Sequence, residues 1–175
     1  MNRALPMLAV AWLAALPAWA EEPLTPAIDT AAVAGCVAEA QARKAAPDIC
    51  IGPTLAGCGS LPADAPALAT LCYDEARRQL AEATAARLTL LDDTAPEPLA
   101  LRARVEAKYD LLSGLLQCDR LEELGRLDDT PAETLALQKT RCEATASGLA
   151  YIRLLWRVAP DDQDLTPPDG PAQGD

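Results

Sequence analysis

The chain has 175 residues, of which 37 are Ala and 28 are Leu, while Phe and His are absent. Ala and Leu are strong helix formers, and aromatic side chains make up only 3% of the chain, which argues against a sandwich, a barrel or a doubly wound sheet. Without His, the chain lacks the commonest acid/base group and the commonest metal ligand. The net charge of −11 disfavours binding to nucleic acid.

The first twenty residues are predicted to be a secretory signal peptide. Arg3 supplies a positive charge, an apolar stretch covers residues 4–17, and Ala18-Trp19-Ala20 is a small-x-small cleavage site before Glu21. The alternative is an uncleaved membrane anchor. Removal of Arg3 changes the net charge from −11 to −12. We therefore expect a periplasmic or secreted acidic protein with no membrane span after cleavage.

Residues 21–158 are predicted to form a single all-α domain. The first helix is expected after Pro26, with Asp29 or Thr30 as its N-cap, and to run to Ala46 before Pro47. Residues 47–63 are rich in Gly and Pro and are predicted to be a connector with one helical turn. The second helix is expected from Asp64 or Pro66 to about Leu91.

The third and fourth helices are predicted to begin at two capping boxes. Residues 94–97 read Thr-Ala-Pro-Glu and residues 130–133 read Thr-Pro-Ala-Glu, in which the Thr hydroxyl and the Glu cap unpaired backbone N–H groups. Apolar residues then recur every three or four positions, which predicts the buried faces of both helices. These residues are Leu101, Val105, Tyr109, Leu112 and Leu116 in the third helix, and Cys142, Ala146, Leu149 and Ile152 in the fourth. Tyr151 and Trp156 are also expected in the core or at its edge.

The chain after residue 158 has a different composition. From Pro160 onward it contains five acids, four Pro and no base. Residues 159–175 are therefore predicted to be a disordered acidic tail.

Six Cys in an oxidising compartment predict three disulfides rather than a metal site, because no His or Cys-x-x-Cys pair accompanies them. The first four lie symmetrically about residue 54, which favours nested pairs across an antiparallel hairpin, Cys36–Cys72 and Cys50–Cys58. Cys118 and Cys142 are centred on residue 130 and are predicted to form the third bridge. These bridges compensate for a core that lacks large aromatic side chains.

Catalysis is not expected. The absence of His excludes Ser–His and Cys–His mechanisms. Because carboxylates are plentiful, a pair of carboxylic acids acting as in glycosidases is the catalytic alternative. No catalytic residue, cofactor or metal ligand is predicted. The acidic surface favours encounter with a cationic partner, although many exported proteins are acidic for solubility alone.

The cysteine framework resembles bacterial exported proteins with an LprI-type lysozyme-inhibitor domain. The resemblance rests on Cys36, Cys50-Ile51-Gly52, Cys58 and Cys72-Tyr73-Asp74-Glu75, then on Leu101-Arg102-Ala103, Cys118, Arg141-Cys142, Thr145-Ala146 and Leu149. It covers residues 36 to about 156. The family commonly has Trp near the position where this chain has Leu80, so the chain departs from the family pattern at that position. The resemblance implies a helical protein that docks on a cationic cell-wall-degrading enzyme such as lysozyme.

If lysozyme is the partner, the expected contacts lie in a segment held between disulfides, where docking costs less entropy. They are Gly57, Gly59, Ser60, Asp74 and Glu75. The competing hypothesis is a structural or assembly protein of the cell envelope with no inhibitory activity.

Overall fold

The computed structural model describes residues 27–158, which contain helices and no strand. The five α-helices are α1 (Thr30–Ala42), α2 (Ile51–Gly59), α3 (Pro66–Thr94), α4 (Glu97–Leu127) and α5 (Ala132–Arg157), and a 3₁₀ turn (Pro47–Cys50) precedes α2. The predicted all-α fold with disulfide-linked helices is confirmed. The predicted signal peptide, residues 1–20, and acidic tail, residues 159–175, lie outside the described residues.

The boundaries of α1 follow from its capping residues. Asp29 is the N-cap, and its carboxylate accepts hydrogen bonds from the backbone N–H groups of Ala31 and Ala32 at 3.0 and 2.9 Å. The helix ends at Ala42, four residues before the predicted end, because Lys44 adopts φ 54°. The N–H of Lys44 then donates to the Gln41 carbonyl at 2.9 Å. The N–H of Ala45 donates to the Ala40 carbonyl, also at 2.9 Å, and the two bonds form a Schellman motif.

Most of the predicted connector is helical. Pro53 falls in the first turn of α2, where its missing N–H costs nothing, and the Thr54 hydroxyl donates to the Cys50 carbonyl at 2.7 Å. Leu55 and Cys58 are buried on the inner side of α2. The helical turn predicted around Ile49 is the 3₁₀ turn Pro47–Cys50, but α2 was not predicted. It forms because the prolines lie where a helix tolerates them and the apolar residues lie one turn apart.

The starts of α4 and α5 lie within three residues of the predictions, but neither capping box forms. Pro96 and Pro131 occupy the N-cap positions and make no side-chain cap bond. Thr94 instead ends α3, where its hydroxyl donates to the Leu90 carbonyl at 2.6 Å. The fixed φ of Pro, rather than a Thr hydroxyl, marks these two starts.

The first two disulfides differ from the nested pairing predicted from symmetry. Cys36 is bonded to Cys50 and Cys58 to Cys72, with Cα–Cα distances of 5.9 and 5.5 Å. Cys50 and Cys58 cannot pair, because eight residues of helix separate their Cα atoms by about 12 Å, beyond the reach of a disulfide. The predicted Cys118–Cys142 bridge is confirmed, with a Cα–Cα distance of 5.6 Å.

Helix α5 is the centre of the bundle. It packs against α3 and α4 along most of its length, whereas α3 and α4 contact each other much less. The larger core cluster joins the N-terminal elements and α3 to α5, and contains Val33, Val37, Ala40, Cys50, Leu55, Cys58, Cys72, Tyr73, Ala76, Leu80, Ala144, Tyr151 and Ile152. A smaller cluster, Leu91, Ala100, Ala103, Leu154 and Val158, lies at the α3–α4 turn.

Helices α4 and α5 approach each other closely at one glycine. A Cβ atom on Gly114 would lie 2.7 Å from the Cβ of Ala146, which is rigidly held on α5. The inner face of α4 is otherwise formed by Ala100, Ala103, Ala107 and Cys118, all buried. Small side chains on both helices therefore set the spacing of this pair.

The predicted core face of α4 is its exposed face. Tyr109 and Leu116 are both 66% exposed, and Leu101, Val105 and Leu112 are also exposed. The helix is oriented by its small inner residues and by Arg157 of α5, which contacts Asp110 at 2.5 Å and Glu106 at 3.1 Å. Spacing alone could not distinguish an inward stripe of Leu from an inward stripe of Ala.

The predicted face of α5 is confirmed. Ala146 and Ile152 are buried, and Cys142 and Leu149 are partly buried. Tyr151 is buried and Trp156 packs against the larger cluster, as predicted.

Candidate binding surfaces

The N-terminal part of the fold is cross-linked more densely than the rest. We call residues 27–80 the braced end, since α1, the 3₁₀ turn, α2 and the first half of α3 are joined there by two of the three disulfides. It is fastened to α5 by a hydrogen bond from the Gln41 side chain to the Trp156 carbonyl, at 2.9 Å, and by the Arg153–Asp48 ion pair, also at 2.9 Å. The short elements of this region are thereby held in one arrangement.

The braced end contains the five sequence-predicted contact residues. Gly57 and Gly59 lie at the exposed end of α2, and Ser60 follows, its hydroxyl donating to the Gly57 carbonyl at 2.9 Å. The Cys58–Cys72 bridge places this segment beside the turn of α3 that carries Asp74 and Glu75. At about 100° per residue, Asp74 lies about 200° and Glu75 about 300° around α3 from Cys72, so Glu75 is the acid nearer the side of the bridge.

The two acids are already paired within α3. Arg77 contacts Asp74 at 2.7 Å, and Arg78 contacts Glu75 at 2.5 Å. The hydrogen bond from Arg78, followed by one from Gln79, lowers the pKa of Glu75 to about 2. Glu75 is therefore ionised at any physiological pH, but an adjacent guanidinium offsets much of its field. A cationic partner would have to compete with these arginines.

A shallow apolar cavity of about 230 Å³ lies between α1 and α2, next to the Cys36–Cys50 bridge. Its walls include Ile28, Val33, Pro53, Thr54 and Gly57. Pockets for small-molecule ligands usually start at about 300 Å³, so this cavity is the right size for one or two side chains. Ile28 could not be grouped with Pro53 from the sequence, because the two residues meet only after α2 folds back on α1.

A second cavity, of about 400 Å³, lies between α4 and α5 beside the Cys118–Cys142 bridge. Lys139 projects into it and pairs with Glu122. The hydrogen bond from Lys139 lowers the pKa of the Glu122 carboxyl, and the same contact raises the pKa of the lysine. A general acid needs a raised carboxyl pKa, and the shifts of Glu122 and Glu75 are in the opposite direction.

The outward side of α4 is a third distinctive surface. Leu101, Val105, Tyr109, Leu112 and Leu116 fall within an arc of about 80° at 3.6 residues per turn, opposite the inner alanines. We call these five residues the outer stripe. Leu127 extends the same face at the end of the helix and is 79% exposed. Exposed apolar residues scattered singly are ordinary, but a continuous stripe along one helix indicates an interaction surface.

Neither a metal site nor a membrane-spanning helix is found in the described part of the chain. Within residues 27–158, no group of three or more Cys, Asp or Glu side chains is placed to hold a metal ion. In the same range, no helix combines the length and apolarity needed to cross a membrane.

Comparisons with known proteins give no relative, since no family model, curated protein or solved structure matches the chain. Functional inference therefore depends on these surfaces and on the chemistry of their residues.

Proposed function

We propose that this chain is an extracytoplasmic binding protein with no catalytic role. The observation that carries the proposal is the braced end, where two disulfides hold exposed Gly57, Gly59 and Ser60 beside an apolar cavity of about 230 Å³. Such a rigid surface loses little conformational entropy on docking. Three disulfides and no free cysteine favour an oxidising compartment, periplasmic or extracellular.

The partner best matched to this surface is a cationic protein, for which a cell-wall-degrading lysozyme is the specific candidate. The cavity accepts an apolar side chain, and the net charge of −11 steers a basic protein toward the chain. The proposal also agrees with the absence of His from the chain and with the lowered pKa values of the Glu75 and Glu122 carboxyls, which do not suit a general acid.

The test measures binding to purified lysozyme and inhibition of wall lysis, at salt concentrations of about 20 and 300 mM. We expect binding that weakens at high salt, and loss of affinity when Asp74→Asn and Glu75→Gln are combined. The matched control is Asp93→Asn with Glu97→Gln, which removes two exposed acids far along the chain from the braced end. Equal losses from both pairs would mean that only net charge matters, and no binding at low salt would exclude lysozyme.

A role in assembling the cell envelope is the second candidate. It is favoured by the outer stripe of α4, which suits a permanent helical interface better than a charge-steered encounter. Crosslinking from Ser60 and, separately, from Leu116 in the exporting cell would distinguish the two roles. A lysozyme-type partner should crosslink to Ser60, whereas an assembly partner, a protein other than a second copy of this chain, should crosslink to Leu116.

A further inference from the structure

The outer stripe of α4 is too long and too apolar to be explained by the fold of one copy. Between 44 and 66% of each of its five side chains is exposed. The stripe spans 16 residues, whose first and last Cα atoms lie about 22 Å apart along the helix, or about 39 Å when Leu127 is included. Of the eleven large hydrophobic residues exposed within residues 27–158, eight belong to α4, including Leu121 and Leu124.

We propose that this face binds the same face of a second copy, with the two α4 helices antiparallel. With Leu127, the stripe offers on the order of 500 Å² of exposed surface per copy. A pair of copies therefore reaches roughly the 1,000 Å² that a specific interface needs. A single straight helix face related to itself by a two-fold axis gives a closed dimer rather than an open chain of copies.

The charges beside the stripe favour the antiparallel arrangement. Arg104 and Lys108 flank its first half on one side, whereas Asp119 and Glu123 fall within the arc of the stripe itself, between Leu116 and Leu127. Within residues 27–158, Lys108 and Glu123 enter no ion pair, and Asp119 makes only a 3.4 Å contact to Lys139. Lys108, Asp119 and Glu123 are therefore available for contacts between copies, whereas Arg104 is paired with Asp92 at 2.5 Å.

A two-fold axis close to Leu112 and Leu116 accounts for both the charges and the apolar residues. It places Lys108 of each copy near Asp119 and Glu123 of the other, and Leu101 of each copy near Leu127 of the other. A parallel pair would instead set Asp119 close to Asp119 and Glu123 against Glu123, which repels. Lys108 and the two acids are thus complementary only when one helix is reversed.

The C-terminal segment of the chain is a poor alternative occupant of the stripe. Residues 159–175 contain five acids and a single large apolar residue, Leu165. A segment of that composition gains little by covering five large hydrophobic side chains.

The test is the molar mass of the exported chain, measured by light scattering and sedimentation over a roughly hundredfold dilution. We expect a dimer that dissociates on dilution. Leu112→Glu should weaken the dimer at least about tenfold. The matched control is Leu90→Glu on α3, because Leu90 and Leu112 are 47 and 44% exposed. Circular dichroism of each variant checks that the helices are retained.

A charge exchange tests the orientation separately. Lys108→Glu should weaken the dimer, and combining it with Glu123→Lys should restore the original dissociation constant. A chain that stays monomeric at every concentration overturns the proposal, as does a dimer broken equally by Leu90→Glu. A double variant no stronger than Lys108→Glu alone overturns the antiparallel pairing. Because lysozyme binding is tested at Asp74 and Glu75, either proposal can fail without the other.

Discussion

Replacing Gly114 by Ala tests the closest contact in the bundle. In an exposed helix interior, Gly→Ala stabilises a protein by about 0.5–1 kcal/mol, because Ala loses less backbone entropy on folding. At Gly114 the new Cβ would lie 2.7 Å from the Cβ of Ala146. Carbon atoms normally approach to about 3.5–4.0 Å, so α4 and α5 would have to separate by about 1 Å.

This displacement has a cost that exceeds the gain in helix propensity. Overpacking in a well-packed interface costs about 1–3 kcal/mol, which leaves a net destabilisation of about 0.5–2 kcal/mol. Neither side chain can yield by rotating, since both are single methyl groups on helices. We therefore expect Gly114→Ala to lower the free energy of unfolding, against the sign that helix propensity alone predicts.

Gly35→Ala is the matched control. Gly35 lies within α1, and nothing lies within 4 Å of the Cβ that it would gain. We expect this variant to stabilise the chain by about 0.4–1 kcal/mol. Urea unfolding and thermal melting measure both variants, and Tm should change by about 2–4 °C per kcal/mol in a chain of this size. If Gly114→Ala stabilised the chain as much as Gly35→Ala, α4 and α5 would not be in contact at this point.

Two further predictions concern the braced end. The first is a disulfide map of unreduced protein cleaved before each aspartate, read by mass spectrometry. Fragments 29–47, 48–63 and 64–73 should stay joined as one species. Nested pairing would instead release fragment 48–63 alone with an internal bridge. Because Arg78 lowers the pKa of Glu75 from 4.5 to about 2, ionised Glu75 stabilises the fold above pH 4.5, and this contribution is lost as the pH falls toward 2. NMR titration of its carboxyl should show this low value and a rise toward 4.5 in Arg78→Ala; a wild-type midpoint near 4.5 would contradict the ion pair.

Features governed by neighbouring residues could be predicted from the sequence. Asp29 as an N-cap, the starts of α4 and α5 and the Cys118–Cys142 bridge follow from residues close in the chain or from a single turn. Features that depend on which of two helix faces is buried could not be predicted. The orientation of α4 depends on Gly114 meeting Ala146 and on the ion pairs of Arg157, which no periodicity reveals.

The five predicted contact residues were chosen on the basis of a hairpin that the structure does not contain. Symmetry about residue 54 suggested a hairpin bend, but the segment there is α2, and a helix keeps Cys50 and Cys58 too far apart to pair. The Cys58–Cys72 bridge instead joins the end of α2 to α3, three residues before Glu75. The charge of Glu75 was predicted, but its neutralisation by Arg78 was not, because the i,i+3 ion pair depends on side-chain conformation.

The order of the disulfides has a consequence for biogenesis. Each cysteine is bonded to the next one in the chain, first with second, third with fourth and fifth with sixth, across separations of 14, 14 and 24 residues. A chain that enters an oxidising compartment N-terminus first exposes each partner before the following pair arrives. An oxidant that simply joins cysteines as they emerge would therefore produce the native pattern, and maturation should need no disulfide isomerase.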